Sequence, residues 1–259
     1  MTPDGLTNRR VFDLEQPRHA GAPIHPGHVP PGFSYLLHRR HEAHNAWPDG
    51  RTGSAGTLIT SEHAGTHIDA LSHQAVDLKM CGGVDARASA TAFGYTELGV
   101  ETIPPIVARG WLIDLGTLEL DRWVGLDEVR RAADAQGVRP AARDVVLVRT
   151  GSGAHWDDPE RYLRAPGMKG EVSQWLAGAR VLAVGADNMA WDRASGEDPD
   201  TGVFLPGHSI LLVRSGVYII ENVFLEELAA AGVHEFTFVC TPLKIRGATG
   251  SPVRPLALV

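Results

Sequence analysis

Residues 63–73 read His63-Ala64-Gly65-Thr66-His67-Ile68-Asp69-Ala70-Leu71-Ser72-His73. Three imidazoles and a carboxylate fall in this one short stretch. Together they are the usual ligand set of catalytic Zn²⁺ or Mn²⁺. His67 and Asp69 are two apart, and in an extended segment they point to the same face. Gly65 permits a turn that folds His63 back towards them. His63, His67 and Asp69 are therefore candidate metal ligands. His73 lies four residues past Asp69, close enough to approach the metal region without being required as a ligand. It is the candidate general acid/base. The plain alternative is a polar turn with exposed histidines.

A second pair lies far downstream. His208 follows Leu205-Pro206-Gly207, and Glu221 follows the apolar run Val217-Tyr218-Ile219-Ile220. A carboxylate buried there is costly unless it is paired or metal-bound. Glu221 is thus a candidate ligand and the reserve candidate for the base. Its alternative is a strand end reaching solvent.

These blocks resemble the cyclase family of metal-dependent hydrolases, the group of bacterial kynurenine formamidase and isatin hydrolase. The family pattern H-x-G-T-H-x-D-x-P-x-H is matched through Asp69, departs at Leu71 where the family has Pro, and resumes at His73. Gly185-Ala186-Asp187, His208-Ser209-Ile210-Leu211-Leu212, Glu221-Asn222 and the tail Phe236–Pro255 also fit. The resemblance spans roughly residues 55–255. It implies that His63, His67 and Asp69 hold a first metal, and that Asp69 bridges to a second formed with His208 and Glu221. It also implies His73 as acid/base, Mn²⁺ or Zn²⁺ with one or two ions per subunit, and a homodimer or homotetramer. The implied fold is a compact mixed domain with a barrel-like sheet flanked by helices.

The rest of the chain is consistent with that class. It has 259 residues and a net charge of −7, which argues against a nucleic-acid or anionic-membrane partner. Two cysteines, Cys81 and Cys240, exclude a disulfide scaffold and suit a reducing compartment, the cytoplasm. The N-terminus lacks the apolar segment of a secretory signal, and no apolar run is long enough to span a membrane. The dinucleotide, P-loop and nucleophile-elbow patterns are absent.

Apolar, β-branched runs predict strands at Thr57–Ser61, Trp111–Leu115, Val145–Thr150, Val181–Ala186, Val217–Glu221 and Glu235–Thr241. Periodic runs predict helices over Leu126–Gln136, Gly170–Ala179 and Phe224–Ala231, with Gly137 and Gly232 as stops. The mixture indicates an α/β (mixed α+β) chain forming a single domain over residues 1–259. Residues 15–55, rich in Pro, Gly, His and Arg, have no sustained period. They predict an ordered arm or lid that covers the pocket or crosses into a neighbouring subunit.

The expected chemistry is hydrolysis of an amide, lactam or ester of a small aromatic or cyclic substrate, with Trp47, Asn188 and Trp191 as candidate substrate contacts. The rivals are a metal-dependent cyclase or lyase that enolises its substrate, and a non-catalytic metal-binding protein.

Overall fold

A computed structural model of the chain describes residues 9–28, 30, 32–42, 44 and 46–259. Its apolar runs stack side by side in one nine-stranded sheet. In chain order the strands are β1 (Val11–Asp13), β2 (His67–Asp69), β3 (Ile106–Asp114), β4 (Val145–Arg149), β5 (Ala183–Ala186), β6 (Tyr218–Glu221), β7 (Glu235–Cys240), β8 (Gly250–Pro252) and β9 (Leu256–Leu258). Their order across the sheet is β1-β9-β7-β3-β4-β5-β6-β2-β8. The sheet curls into a half-barrel.

The centre, β3-β4-β5-β6, is parallel. Parallel strands need cover on both faces, which is why these segments are apolar without alternation. Successive residues nonetheless serve opposite faces. Leu112, Leu147 and Ile220 join Ile68, Phe12 and Phe238 on one face. Ile113, Val146, Val148 and Ile219 lie on the other, under Val129 of the helix Leu126–Ala135 and Val172 and Leu176 of the helix Gly170–Gly178. Gly185 sits where these strands press closest. A Cβ there would lie 2.8 Å from Leu147 Cδ2 and 2.9 Å from the Ile220 carbonyl oxygen.

The strand and helix expectations hold with shifted ends. The largest shift is in β3, which begins at Ile106 rather than Trp111. The third helix is shorter than the sequence predicts, covering Glu226–Ala230.

Ala55–Thr60 pairs antiparallel with Phe33–Arg39, inside the arm, as a separate two-stranded ribbon. One reading is corrected: the arm does not begin at residue 15. Gln16 is buried, its backbone N–H donates to Thr66 Oγ1 at 2.8 Å, and its Nε2 donates to the Gly153 carbonyl at 2.9 Å. Arg18 donates to the carbonyls of Ala64 and Thr66. Gln16 and Arg18 therefore clamp the turn that carries the histidines.

Candidate metal centre

The site forms where β6 and β2 pair antiparallel, with Glu221 opposite His67. Within β2, His67 and Asp69 share one face, and Ile68 points into the apolar cluster behind. Gly65, at φ 62°, makes the turn that returns His63 to Asp69. A following turn, closed by the His73 N–H to the Ala70 carbonyl at 3.0 Å, places His73. His208 ends the short helix Pro206–His208, which runs on as a π-helix over Ser209–Ser215. A single π turn in place of α is common at functional sites.

All five expected ligands converge. His63 Nδ1 is 2.9 Å from Asp69 Oδ1, and His67 Nε2 is 3.3 Å from Glu221 Oε2 and 3.5 Å from Asp69 Oδ1. His208 Nε2 is 3.4 Å from Glu221 Oε1 and 3.7 Å from Asp69 Oδ2. All five are buried. Two sets have ligand atoms mutually close enough to share an ion: His63 with Asp69 and His73, and His67 with Asp69 and Glu221. His73 thus lies within coordinating distance of the same centre. Its ring centroid is 4.1 Å from that of His63.

The residues fit a divalent cation. His63 Nδ1, both Asp69 oxygens and Glu221 Oε1 are buried without a hydrogen-bond partner. Buried polar atoms are normally paired, so orphans facing one point call for a further group. The outer nitrogens of two histidines are anchored: His67 Nδ1 meets the Gly65 carbonyl at 2.8 Å, and His208 Nδ1 meets Asp192 Oδ2 at 2.9 Å. This leaves each Nε2 turned inward, as in metal-binding histidines.

The electrostatics agree. Burial opposes the ionisation of Asp69, but the surrounding His73, His63 and His67 hold its carboxyl well below the usual range. Burial and the Asp69 charge push Glu221 up. Burial disfavours a charged His208, yet its hydrogen bond to Asp192 and the facing Glu221 carboxylate raise it well above its usual value. Two carboxylates this deep call for positive charge, which protons on the histidines supply and a cation would supply equally.

Sequence reasoning missed the supports. Asp192 accepts from the Gly207 N–H at 2.8 Å as well as facing His208. Asn222, at φ 56°, donates to the Gly65 carbonyl at 2.9 Å and accepts from the Tyr162 hydroxyl at 3.0 Å. Leu205, at φ 49°, leads into the His208 helix. Non-glycine residues in this left-handed region are uncommon and cluster at functional sites. The Glu-Asn pair was the signal available for Asn222.

A cavity of about 310 Å³ opens above the cluster. His63, His73, His208 and Glu221 form part of its lining. The arm supplies His25, Gly27 and His28, and Phe204 and Leu205 close another side. The arm thus contributes to the pocket lining, through two histidines that sequence reasoning did not select. The His28 ring lies parallel to that of His63, 4.9 Å between centroids and 4° between planes.

The expected substrate contacts are corrected. Trp47 is 43% exposed on the outer arm, with the Arg39 guanidinium 4.8 Å from its ring centroid, and does not line the cavity. Trp191 is fully buried and its indole N–H donates to Ser173 Oγ at 2.9 Å, because Gly207 leaves room for its ring. Asn188 spends its amide on the carbonyls of Pro166, Trp191 and Asp192. Both hold the Asp192 loop and neither lines the pocket.

A family model, Cyclase, matches residues 12–193. The chain belongs to the Cyclase family. The match stops before His208 and Glu221, so their place in this Cyclase site rests on the geometry above. The kynurenine formamidase of Bordetella petrii is 28% identical over 255 residues, 96% of this chain and 97% of that protein. A crystal structure described as a novel cyclase superposes over 100% of this chain and 92% of that one, with 27% identity and a TM-score of 0.86. Isatin hydrolase A from Ralstonia solanacearum shares the fold at a TM-score of 0.74 and 24% identity, covering 97% and 92% of the two chains.

Proposed function

We propose that this Cyclase-family chain is a metal-dependent hydrolase that opens a carbon–nitrogen bond in a small aromatic amide or lactam. The observation that carries this is the convergence of unpaired His63, Asp69 and Glu221 atoms on the floor of a cavity, with His73 beside them. A divalent ion held there lowers the pKa of water and polarises a carbonyl. His63, His67, Asp69, His208 and Glu221 would hold it. Their imidazole and carboxylate donors suit Mn²⁺ and Zn²⁺ alike, and two ligand groups sharing Asp69 suit one ion or two.

His73 is the acid/base. Burial keeps the ring neutral at pH 7, with a free nitrogen lone pair, while the neighbouring Asp69 charge partly counters burial and favours the protonated form. It takes that proton from the attacking water as the C–O bond forms. It returns it to the nitrogen as the C–N bond breaks. The arm, through His25 and His28, closes the cavity over the substrate, with Phe204 as the aromatic side chain available for contact.

The chain works as one domain and assembles as a homodimer or homotetramer. Support for assembly comes from the ribbon, where Tyr35, Leu36, Leu58 and Ile59 are 58–66% exposed. Two free cysteines suit a cytoplasmic setting. No helix among the described residues is long and apolar enough to cross a membrane.

The test is turnover of an N-formyl-arylamine, an isatin-like lactam and a simple lactone in ¹⁸O-labelled water. Cleavage with label in the new acid supports hydrolysis. A lactone product that forms without label, with exchange of the α C–H for deuterium in a parallel D₂O run, would establish enolisation instead.

A further inference from the structure

The three histidines read as ligands around Asp69 have their outer nitrogens held in three ways. A backbone carbonyl faces His67 and a carboxylate faces His208. His63 has neither. Its Nε2 is 2.8 Å from Thr249 Oγ1, which is 2.5 Å from Glu62 Oε1.

The donor directions follow from valence. An ionised carboxylate only accepts, and a threonine hydroxyl has one hydrogen to give. Thr249 therefore donates to Glu62 and accepts from His63. That places the ring proton on Nε2 and leaves Nδ1 bare, 2.9 Å from Asp69 Oδ1. The other Glu62 oxygen accepts the Thr249 backbone N–H at 3.2 Å, so one carboxylate grips Thr249 from two sides. The Thr249 carbonyl in turn accepts the Ala70 N–H at 2.9 Å, and Gly250 pairs with Asp69 across β8 and β2. A Cβ on Gly250 would lie 2.7 Å from His63 Cε1, so the glycine lets the ring lie on this strand.

We propose that Glu62 and Thr249 are positioning residues that form a carboxylate–hydroxyl–imidazole relay. The relay fixes the His63 tautomer and strengthens its hold on a divalent ion. The inference rests on the reading of His63 as a ligand. Accepting the ring N–H through a hydroxyl that is itself polarised by a carboxylate raises the basicity of the opposite nitrogen. Outer partners of this kind typically contribute 10–100-fold to metal affinity. A staple that only tied the tail to the loop would leave affinity unchanged once the protein had folded.

The experiment is Zn²⁺ affinity of the full chain by chelator competition, together with ¹⁵N-histidine spectra of the zinc-loaded protein. The parent is compared with Thr249→Ser, Thr249→Val, Glu62→Gln and His63→Ala, with metal-free melting curves as the folding control. Thr249→Val is expected to bind Zn²⁺ about 10–100-fold more weakly and to lose the protected His63 Nε2–H signal. Thr249→Ser should restore both, and Glu62→Gln should fall between. Should Thr249→Val fail to fold, the contrast between Glu62→Gln and Thr249→Ser decides. Parental affinity in folded Thr249→Val or in Glu62→Gln, alongside a loss in His63→Ala, would overturn the relay and leave the ligand assignment intact. Parental affinity in His63→Ala would overturn the ligand assignment and the relay with it.

Discussion

Strand β2 and the ribbon Phe33–Arg39/Ala55–Thr60 break the ordinary hydropathy rule in opposite directions. In β2, His67 and Asp69 are 1% and 0% exposed. In the ribbon, Leu36 and Ile59 are 65% and 66% exposed. Polar groups lie inside one and apolar groups outside the other. Each state is costly alone, because buried ionisable groups require a charge partner and a lone two-stranded ribbon is marginal in water. On the proposed reading, a divalent cation would complete the first region and a second copy of the chain would complete the second.

The sharpest way to break this comparison is to remove a ligand. His67→Ala should lose most of its metal and fall to background turnover, and elemental analysis showing full metal content would break the assignment. His73→Ala should keep its metal and much of its substrate affinity while turnover drops about 10²–10⁴-fold. If that variant loses its metal instead, His73 is a ligand, as its proximity to His63 and Asp69 permits.

The next test sets core against ribbon. Ile68→Ala, between the two ligands of β2, should destabilise the fold by about 2–5 kcal/mol in denaturant melts. Ile59→Ser should change the stability of the isolated chain by no more than about 0.5 kcal/mol. It should instead shift the sedimentation profile towards monomer.

Asp187 gives the smallest effect and a contrast within the core. Burial pushes its carboxyl up to about 6 despite hydrogen bonds from Thr150 and Gly153, so below that pH the site relieves the burial of charge by taking up a proton. A raised folded-state pKa contributes stability below the unfolded value of 3.8, and that stability is lost as pH rises through about 6. The loss is at most about 3 kcal/mol. In a pH series of melts, Asp187→Asn should lack this slope, and an unchanged slope would remove the assignment.

Much of this was legible in the sequence because the signals were local. The alternation of His67 and Asp69 needed only strand geometry. Glu221 was conspicuous because a charge ended an apolar run. The four central strands were visible because parallel burial demands continuous Val, Ile and Leu. Strands β1, β2, β8 and β9, at three residues each, are too short to carry a period, and only their partners define them. Likewise Asp192, Thr249 and Glu62 act through hydrogen bonds across long sequence separations, and nothing in their immediate neighbours signals this. Trp47 and Trp191 were misleading for the reverse reason. Aromatic residues near a motif look like substrate contacts, but one stacks on arginine outside and the other fills the core.

Whether the buried cluster acts through a divalent ion is read by metal titration of chelator-stripped protein followed by turnover. Stripped protein should be inactive on the substrate that the parent cleaves best. Activity should return in proportion to added Mn²⁺ or Zn²⁺ and saturate at one or two equivalents per chain. Full turnover by protein holding less than about a tenth of an equivalent of metal would contradict the account.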